Sequence, residues 1–365
     1  MKVNIKKAFN KKKILAVLVL LILVVAMIAS NPEVWNFFSQ NESLKLSFQT
    51  GVEYDMVTCD KEMLLVNNEG IYAIDKLGRE AWSVVSSATS PHVMVSGKYI
   101  MLADMNGKTV KTFQKEKTVA QIETENEILC AKVNKNGYVA VATDELGYKG
   151  LVILHNKSGQ EIFRWHSGTG YIGDIDVSPK NKLAVAQLMT DKEKVYSRIL
   201  IIDPTSDKEP TCIAEVEGIV MKLKYRDNSS LVAVSDSGLY GYRRSGKQSF
   251  AVDFEGRKPI ECNIENEQNM VLAFDSGLNS TVLESYGSNG KKRGGFDAES
   301  EVRAIDVNGE CIVIAKIDGI ARITPKGVVK KEITASNDVK DIKIFNSRDK
   351  MMSLGDSSAE LIKIR

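Results

Sequence analysis

Residues 128–154 carry the pattern that decides the fold: Ile128-Leu-Cys-Ala-Lys-Val133, then Tyr138-Val-Ala-Val-Ala142, then Leu151-Val-Ile-Leu154. The first run alternates in polarity. The second is continuously apolar, which is typical of a strand that is covered on both faces. Turn-forming Asn, Gly and Asp separate the runs. The stretch therefore predicts consecutive antiparallel strands of one small sheet.

The same unit recurs along the chain at a period of roughly 36 to 47 residues, which is the range of propeller repeats. Copies begin near residues 54, 92, 128, 172, 219, 260, 302 and 339. Four strands per unit at this period predict the blades of a β-propeller. We therefore expect an all-β fold with eight four-stranded blades. Seven blades is the alternative if the weak unit at 92–126 is irregular.

The last unit ends at Arg365 after only three strands. One unassigned strand, Leu44-Lys-Leu-Ser-Phe-Gln49, precedes the first unit. We predict that it supplies the missing fourth strand, because this pairing closes the ring and removes an open sheet edge.

An uncharged apolar segment, Ile14 to Ser30, precedes the repeats. About seventeen helical residues span about 25 Å, slightly less than a ~30 Å hydrocarbon core. Trp35, Phe37 and Phe38 follow and suit the aromatic belt of a membrane interface. These features predict a transmembrane helix over 14–30.

Six lysines precede the apolar segment, namely Lys2, Lys6, Lys7, Lys11, Lys12 and Lys13. The positive-inside rule then predicts a single-pass cell-membrane protein with a cytoplasmic N-terminus and an extracellular propeller. The expected organisation is a basic tail at 1–13, a signal anchor at 14–30, a linker at 31–43 and the propeller at 44–365. A cleaved signal peptide is the alternative, and it exports the same domain.

The charge balance argues against one class of partner. The chain has a net charge of +2, but six of its 49 basic residues lie in the N-terminal tail, and the remainder is net acidic against 47 Asp and Glu. A nucleic-acid binder needs a basic domain to neutralise phosphates. We therefore expect no nucleic-acid partner.

Two stretches resemble a known repeat: Tyr72-Ala-Ile-Asp-Lys-Leu-Gly-Arg-Glu-Ala-Trp82 and Leu154-His-Asn-Lys-Ser-Gly-Gln-Glu-Ile-Phe-Arg-Trp165. With the anchor, the chain resembles a bacterial, membrane-anchored family of pyrroloquinoline-quinone (PQQ)-like propellers of unknown function. The resemblance implies a fold and not a chemistry. The related quinoproteins hold their quinone with calcium, a stacking Trp and often adjacent cysteines. This sequence has no adjacent cysteines, and Trp82 and Trp165 are expected to pack between blades. We therefore expect no cofactor and no metal.

No residue is predicted to be catalytic. The five cysteines fall in five different units without metal-ligand spacing, so we interpret them as small core residues: Cys59, Cys130, Cys212, Cys262 and Cys311. The three histidines, His92, His155 and His166, are expected to be structural or on the surface. No Walker motif, nucleophile elbow or His-Glu-x-x-His sequence is present.

Charges recur at two kinds of turn. Turns between the second and third strands carry a candidate acidic rim formed by Asp104, Asp144, Asp236, Asp275, Asp318 and Asp356. Turns between the third and fourth strands of units five to seven carry a candidate basic crescent formed by Arg243, Arg244, Lys247, Lys291, Lys292, Arg293, Lys326, Lys330 and Lys331. Ordinary turn chemistry also explains Asp-x-Gly sequences. The functional hypothesis for the crescent is contact with anionic lipid or wall polymer near the bilayer.

The sequence thus favours a non-catalytic scaffold or ligand-recognition module of the bacterial cell envelope, with an envelope or membrane protein as partner. A propeller is a rigid ring with many loops, which suits partner binding. Two alternatives stay open: an enzyme, either a quinone-dependent oxidoreductase or a hydrolase, and a sensor of cell-wall polymer.

Overall fold

The computed structural model describes residues 44–48, 52–191, 194–277, 279–334 and 339–365. Within these ranges all regular secondary structure is β, in eight four-stranded antiparallel sheets. The predicted tail, transmembrane segment and linker at 1–13, 14–30 and 31–43 lie outside the described residues. In the part that is described, no helix combines the length and hydropathy needed to cross a bilayer.

Each sheet is one blade, and seven blades follow the chain order without interruption. Blades 1 and 2 contain β2(Asp55–Cys59), β3(Glu62–Val66), β4(Gly70–Ile74), β5(Glu80–Val85), β6(Pro91–Ser96), β7(Tyr99–Asp104), β8(Thr109–Gln114) and β9(Lys117–Glu123). Blades 3 and 4 contain β10(Ile128–Val133), β11(Val139–Thr143), β12(Leu151–His155), β13(Glu161–His166), β14(Tyr171–Val177), β15(Leu183–Asp191), β16(Lys194–Ile202) and β17(Thr211–Glu217).

The second half of the ring repeats this order. Blades 5 and 6 contain β18(Val220–Tyr225), β19(Ser230–Ser235), β20(Gly238–Arg243), β21(Gln248–Asp253), β22(Pro259–Asn263), β23(Asn269–Gly277), β24(Ser280–Gly287) and β25(Lys292–Asp297). Blades 7 and 8 contain β26(Val302–Asn308), β27(Cys311–Lys316), β28(Gly319–Ile323), β29(Val329–Ile333), β30(Val339–Ile344), β31(Lys350–Gly355), β32(Ser358–Lys363) and, at the outer edge, β1(Leu44–Ser47). The eight-blade prediction is confirmed, and the seven-blade alternative is wrong because the weak unit forms the regular blade 2.

The position of a strand within its blade explains its sequence pattern. First strands contact the first strands of neighbouring blades and surround the central channel. Second strands such as β11 are buried along their whole length, as their continuous apolar runs predict. Fourth strands such as β13 form the exposed perimeter.

Strand β1 closes the ring as predicted. It pairs antiparallel with β32, from Leu44 opposite Leu361 to Ser47 opposite Ser358. Leu46 packs against the core between blades 8 and 1, and the Phe48 ring stacks on Tyr54 with 4.3 Å between ring centroids. The first and last strands of the propeller are therefore held in one sheet.

The hydrophobic core is divided among the seams between blades. In the first seam, Leu64 and Ile71 of blade 1 pack with Ile100 of blade 2, and Trp82 is 8% exposed in the same cluster. Trp165 packs against the cluster between blades 3 and 4. Both tryptophans therefore pack between blades, as predicted.

The repeat motif encodes a turn. The Asp75 carboxylate accepts hydrogen bonds from the backbone N–H groups of Leu77 (2.8 Å) and Arg79 (3.0 Å). Gly78 has φ +80°, a conformation that L-residues rarely adopt. Asn156 accepts the equivalent pair of hydrogen bonds in blade 3. The residues that resemble the PQQ-like repeat thus serve the third-to-fourth turn.

Candidate functional site

Carboxylates on the first strands join neighbouring blades around the channel. The backbone N–H of Val93 donates to Asp55 (2.9 Å), and that of Leu223 donates to Asp174 (2.7 Å). The backbone N–H of Tyr225 likewise donates to Asp176 (2.6 Å), and that of Ile344 donates to Asp306 (2.7 Å). These aspartates therefore satisfy backbone donors of the next blade, which is a structural role.

The channel wall in blades 3 to 6 carries a network of charged side chains, most of them largely buried. Lys132 Nζ lies 3.8 Å from Asp174 Oδ1, and Lys224 Nζ lies 2.6 Å from Glu265 Oε2. Burial raises the pKa of Asp176 to about 6, although Lys224 and a backbone N–H partly oppose this. Opposite charges thus compensate one another along this wall.

This network does not activate a nucleophile. The Cys130 Sγ lies 3.3 Å from Asp174 Oδ1, and burial raises the pKa of this thiol to about 12, with the Asp174 charge adding to the effect. A thiol with such a pKa is not a thiolate at neutral pH. Within the described ranges, no group of three or more His, Cys, Asp or Glu side chains could hold a metal ion.

A cavity of about 850 Å³ opens where the channel meets the first-to-second turns of blades 3 to 6. Its wall includes Asp176, Lys224, Arg226, Asp227 and Asn228. The Asn228 Oδ1 atom is buried and accepts no hydrogen bond from a described residue. The cavity is polar and of mixed charge, and its size suits a small polar ligand or a peptide side chain.

The structure brings four of the nine crescent residues together. Lys291, Lys292, Arg293 and Lys326 line one surface cavity of about 420 Å³, whereas Arg243 lines the larger channel cavity. The other crescent residues lie in the turn before β21 and in β29: Arg244, Lys247, Lys330 and Lys331.

Three crescent residues already have internal partners. Lys292 Nζ lies 2.6 Å from Glu284 Oε1, and Arg293 Nη1 lies 2.8 Å from Glu310 Oε1. Lys331 donates to the Lys363 carbonyl group at 2.9 Å. Part of the basic crescent is thus neutralised or used in packing. Its binding to an anionic surface stays a prediction.

The partner of Lys292 gives a prediction of pH dependence. Burial alone would raise the pKa of Glu284, but hydrogen bonds from Arg257, Lys292 and Tyr286 outweigh it and lower that pKa to about 2. Glu284→Gln is therefore expected to reduce the free energy of unfolding by about 2 kcal/mol at pH 7. Because the folded-state pKa is depressed, this difference should shrink as pH falls from 4.5 toward 2.

Denaturant unfolding of both proteins at pH 7 and pH 3 measures the difference. The control is Glu161→Gln, which breaks an exposed ion pair with Arg164 (2.7 Å) and should cost well under ~1 kcal/mol. A cost for Glu284→Gln that is equal at both pH values would contradict the ionised network.

Four of the six candidate rim residues lie in second-to-third turns, and Asp104 and Asp275 lie near the ends of β7 and β23, beside such turns. Five of the six bond locally, to their own turn or to a neighbouring segment of the chain. Asp104 accepts hydrogen bonds from the backbone N–H groups of Thr89 and Ser90, at 2.8 and 2.7 Å. Asp236 and Asp275 likewise accept from backbone donors. Asp318 and Asp356 pair with lysines, whereas Asp144 is exposed. Local bonding thus explains five of the six positions, and a binding role for the rim stays a prediction.

The meander order places second-to-third turns and the connections between blades on one face of the ring. We call this the acidic face, and the opposite face the basic face. Described connections of the acidic face carry these acids: Glu53, Glu69, Glu125, Glu127, Asp144, Glu145, Asp236, Glu255, Glu299, Glu301, Asp318 and Asp356. Their basic residues, within the same described connections, are Lys108, Lys149, Arg257 and Lys258.

Exposed large apolar side chains also favour the acidic face. Those at the acidic-face ends of strands or in its connections are Val85, Leu129, Leu146, Tyr148, Tyr171, Val195, Ile219, Met221, Ile260 and Ile317. Those near the basic face occupy its perimeter, at Leu44, Leu77, Ile162, Val328 and Val329. A contiguous exposed apolar patch marks an interaction surface, so the acidic face is the candidate for one. The sequence did not reveal this set, because its members are scattered along the chain, and most of them look like ordinary apolar residues of strands.

The cysteine and histidine predictions need one correction. Cys59, Cys262 and Cys311 are buried free thiols, whereas Cys212 is exposed. Cys212 lies in the fourth strand β17, which no further strand covers, so its interpretation as a core residue is wrong. His155 is buried, and its Nδ1 has no described partner.

These features define an eight-bladed β-propeller with a charged channel and two chemically different faces. The chain belongs to a family of unknown function (DUF5711), whose match extends over residues 36–364. A comparison with curated protein sequences gave no significant match.

Solved structures with this fold are similar at low sequence identity. BamB from Moraxella catarrhalis is 11% identical with a TM-score of 0.57, covering 88% of this chain and 98% of that chain. The C-terminal WD40 domain of Sif2 is 12% identical with a TM-score of 0.63, and the match covers 88% of this chain and 99% of the Sif2 chain. Hydrazine synthase from Kuenenia stuttgartiensis is 10% identical with a TM-score of 0.52, and the match covers 76% of this chain and 97% of the synthase chain. At such identities the likeness concerns the fold alone, and the fold serves at least one protein that is named as an enzyme.

Proposed function

We propose that this protein is a membrane-anchored, extracytoplasmic propeller that acts as a non-catalytic protein-binding scaffold of the bacterial cell envelope. The observation that carries the proposal is the concentration of exposed apolar side chains on the acidic face. Uncovered apolar area of this kind is stabilised when a partner buries it. The rigid closed ring supports it, because a preorganised surface loses little conformational entropy on binding.

A quinone-dependent enzyme is the alternative that the PQQ-like resemblance raises. Purified full-length protein separates the two functions by its absorption spectrum and metal content. The scaffold requires no near-UV or visible quinone band and no stoichiometric calcium. A quinone band together with one calcium ion per chain would replace the scaffold with the enzyme. A sensor of wall polymer is the third option, and specific binding on a glycan array would support it.

The proposed anchor at 14–30 and the extracellular propeller rest on the lysines before the apolar segment. Cys212 offers a direct test, because its side chain is exposed whereas Cys59, Cys262 and Cys311 are buried. In intact cells, a membrane-impermeant maleimide should label the wild-type protein. The Cys212→Ser variant should lose most of the label. Labelling that needs cell permeabilisation would place the propeller inside the cell and contradict the proposal.

A further inference from the structure

The inner strands share an irregularity at the acidic face. In blades 3 to 8 the pairing of first and second strands skips one residue near the start of the first strand, which marks a β-bulge. The skipped residues are Leu129, Gly173, Met221, Ile260, Arg303 and Lys340. A bulge interrupts the ladder and re-aims a side chain. These bulges therefore set which side chains surround the channel mouth on this face.

One half of that mouth is apolar. The bulge residues Leu129, Met221 and Ile260 of blades 3, 5 and 6 are 39%, 40% and 49% exposed. Tyr171, at the start of the inner strand of blade 4, is 56% exposed, and Ile219, just before that of blade 5, is 44% exposed. We call these five residues the apolar arc. It runs through four consecutive blades.

The bulge residues of blades 7 and 8 are charged and already paired. Arg303 Nε lies 4.0 Å from Glu301 Oε1, and Lys340 pairs with Asp356. Blades 7 and 8 thus neutralise their side of the mouth internally. The apolar arc differs because four of its five side chains, Leu129, Ile219, Met221 and Ile260, are aliphatic and exposed. The fifth, Tyr171, accepts a hydrogen bond from Lys149 Nζ at 3.1 Å, and this Nζ lies 4.6 Å from the centroid of the Tyr171 ring.

Two long hairpins flank the centre of the arc. Strands β15 and β16 of blade 4 have nine residues each, and β23 and β24 of blade 6 have nine and eight, against six for β19 and β20 of blade 5. Three extra residues lengthen a strand by about 10 Å. Both hairpins turn on the acidic face, so they project on either side of blade 5. Ile219 and Met221 of blade 5 therefore lie between two longer hairpins.

The charge around this part of the arc indicates the kind of segment that binds there. Glu217 is exposed beside Ile219, Asp144 is exposed in blade 3, and Asp191 and Asp275 are exposed near the ends of the hairpins. Two lysines lie among them, Lys194 opposite Asp191 and Lys149 against Tyr171, so these four acids outnumber these two bases. Interfaces align opposite potentials and place apolar anchors at the centre of a polar rim. An anionic lipid surface or an acidic polymer would meet like charge here. A cationic segment with apolar side chains would meet both features.

We propose that the apolar arc docks a basic segment of a partner protein, with two or more apolar side chains inserted between the hairpins of blades 4 and 6. This proposal rests on the proposed function as a protein-binding scaffold. It adds the binding face and the chemistry of the bound segment.

Site-specific photo-crosslinking of the full-length protein in cells tests the proposal. An apolar photoreactive amino acid is placed at Ile260 in the arc. In a matched protein it replaces Val329, which is also apolar and is 39% exposed, but lies near the basic face. We expect at least tenfold more protein adduct from position 260, with the crosslink mapping to a Lys- or Arg-rich segment that contains apolar residues. Equal adducts at both positions, or a crosslinked segment that is acidic, would overturn the proposal.

Variants separate this proposal from the scaffold function. The double variant Met221→Ser/Tyr171→Ser should lower the yield of the position-260 adduct at least tenfold. The single variant Glu217→Lys should lower it at least fivefold. The control is Asp207→Lys, which reverses an acid in a third-to-fourth turn of blade 4 on the basic face and should leave the adduct unchanged. A partner that the full-length protein still captures in all these variants would contradict the arc and keep the scaffold. Failure to capture any protein would contradict both.

Discussion

Replacing Leu44–Ser47 with Gly-Ser-Gly-Ser is expected to lower the free energy of unfolding by roughly 3–5 kcal/mol and to make the protein aggregate. The change removes the fourth strand of blade 8, including the Leu46 side chain that packs between blades 8 and 1. The estimate combines one apolar side chain with a few ladder hydrogen bonds, at about 1.5–3 and about 1 kcal/mol each. The freed edge of β32 would also be open to pairing with other chains.

The control for this experiment is the same replacement at residues 40–43, just before β1, which leaves Leu44 and all later residues unchanged. Denaturant unfolding in detergent, followed by tryptophan fluorescence, and light scattering on warming provide the readouts. A replacement of Leu44–Ser47 that unfolds like the control would show that the ring does not depend on β1.

Gly327→Ala is expected to cost roughly 3–4 kcal/mol, a large effect for one methyl group. Gly327 lies in the third-to-fourth turn of blade 7 with φ +80°, and an added Cβ would stand 1.9 Å from the Gly295 carbonyl oxygen of blade 6. The positive φ costs an alanine about 1–2 kcal/mol. The clash adds a cost typical of overpacking, about 1–3 kcal/mol. The turn must therefore move away from the outer strand of blade 6.

Gly256→Ala isolates the backbone contribution, so the difference between the two variants gives the cost of the clash. Gly256 has the same φ of +80°, but an added Cβ would meet no atom within 4 Å. Its cost should be only about 1–2 kcal/mol, from the backbone conformation alone. Equal losses in the two variants, measured by denaturant unfolding, would show that the seam between blades 6 and 7 tolerates the extra carbon.

The fold could be predicted from the sequence because each blade repeats one local pattern. Predicted unit starts at 54, 92, 128, 172, 219, 260, 302 and 339 lie within one residue of observed first strands, which begin at Asp55, Pro91, Ile128, Tyr171, Val220, Pro259, Val302 and Val339. The orphan strand before the first unit pairs as expected, because the last unit lacks its fourth strand. The repeated unit was sufficient to predict the number of blades, and the missing fourth strand of the last unit was sufficient to predict how the ring closes.

The candidate site was less predictable for physical reasons. Charges at turns were visible, but their partners depend on the three-dimensional packing of strands and blades. Lys292 pairs with Glu284 in the same sheet, and Arg293 pairs with Glu310 in the next blade. The apolar arc depends on bulges, which shift register without a sequence signature. From the sequence, Met221 and Ile260 look like ordinary residues of inner strands. The bulges leave both side chains exposed at the channel mouth.

The exposed Cys212 shows the same limit on a smaller scale. A cysteine in a β-rich segment is usually a core residue, and Cys59, Cys262 and Cys311 follow that rule. Cys212 does not, because the outermost strand of a blade has no neighbour on one edge and little cover on its outer side. Strand position within the blade decides exposure, and a single unit of sequence specifies it only loosely.

The scaffold proposal is tested most directly by in-cell crosslinking and pull-down of the full-length protein, with residues 1–43 alone as the control. The account predicts a reproducible membrane or envelope protein that is captured by the full-length chain and absent from the control. The same partners in both samples, or no protein partner at all, would contradict a propeller that works by binding another protein.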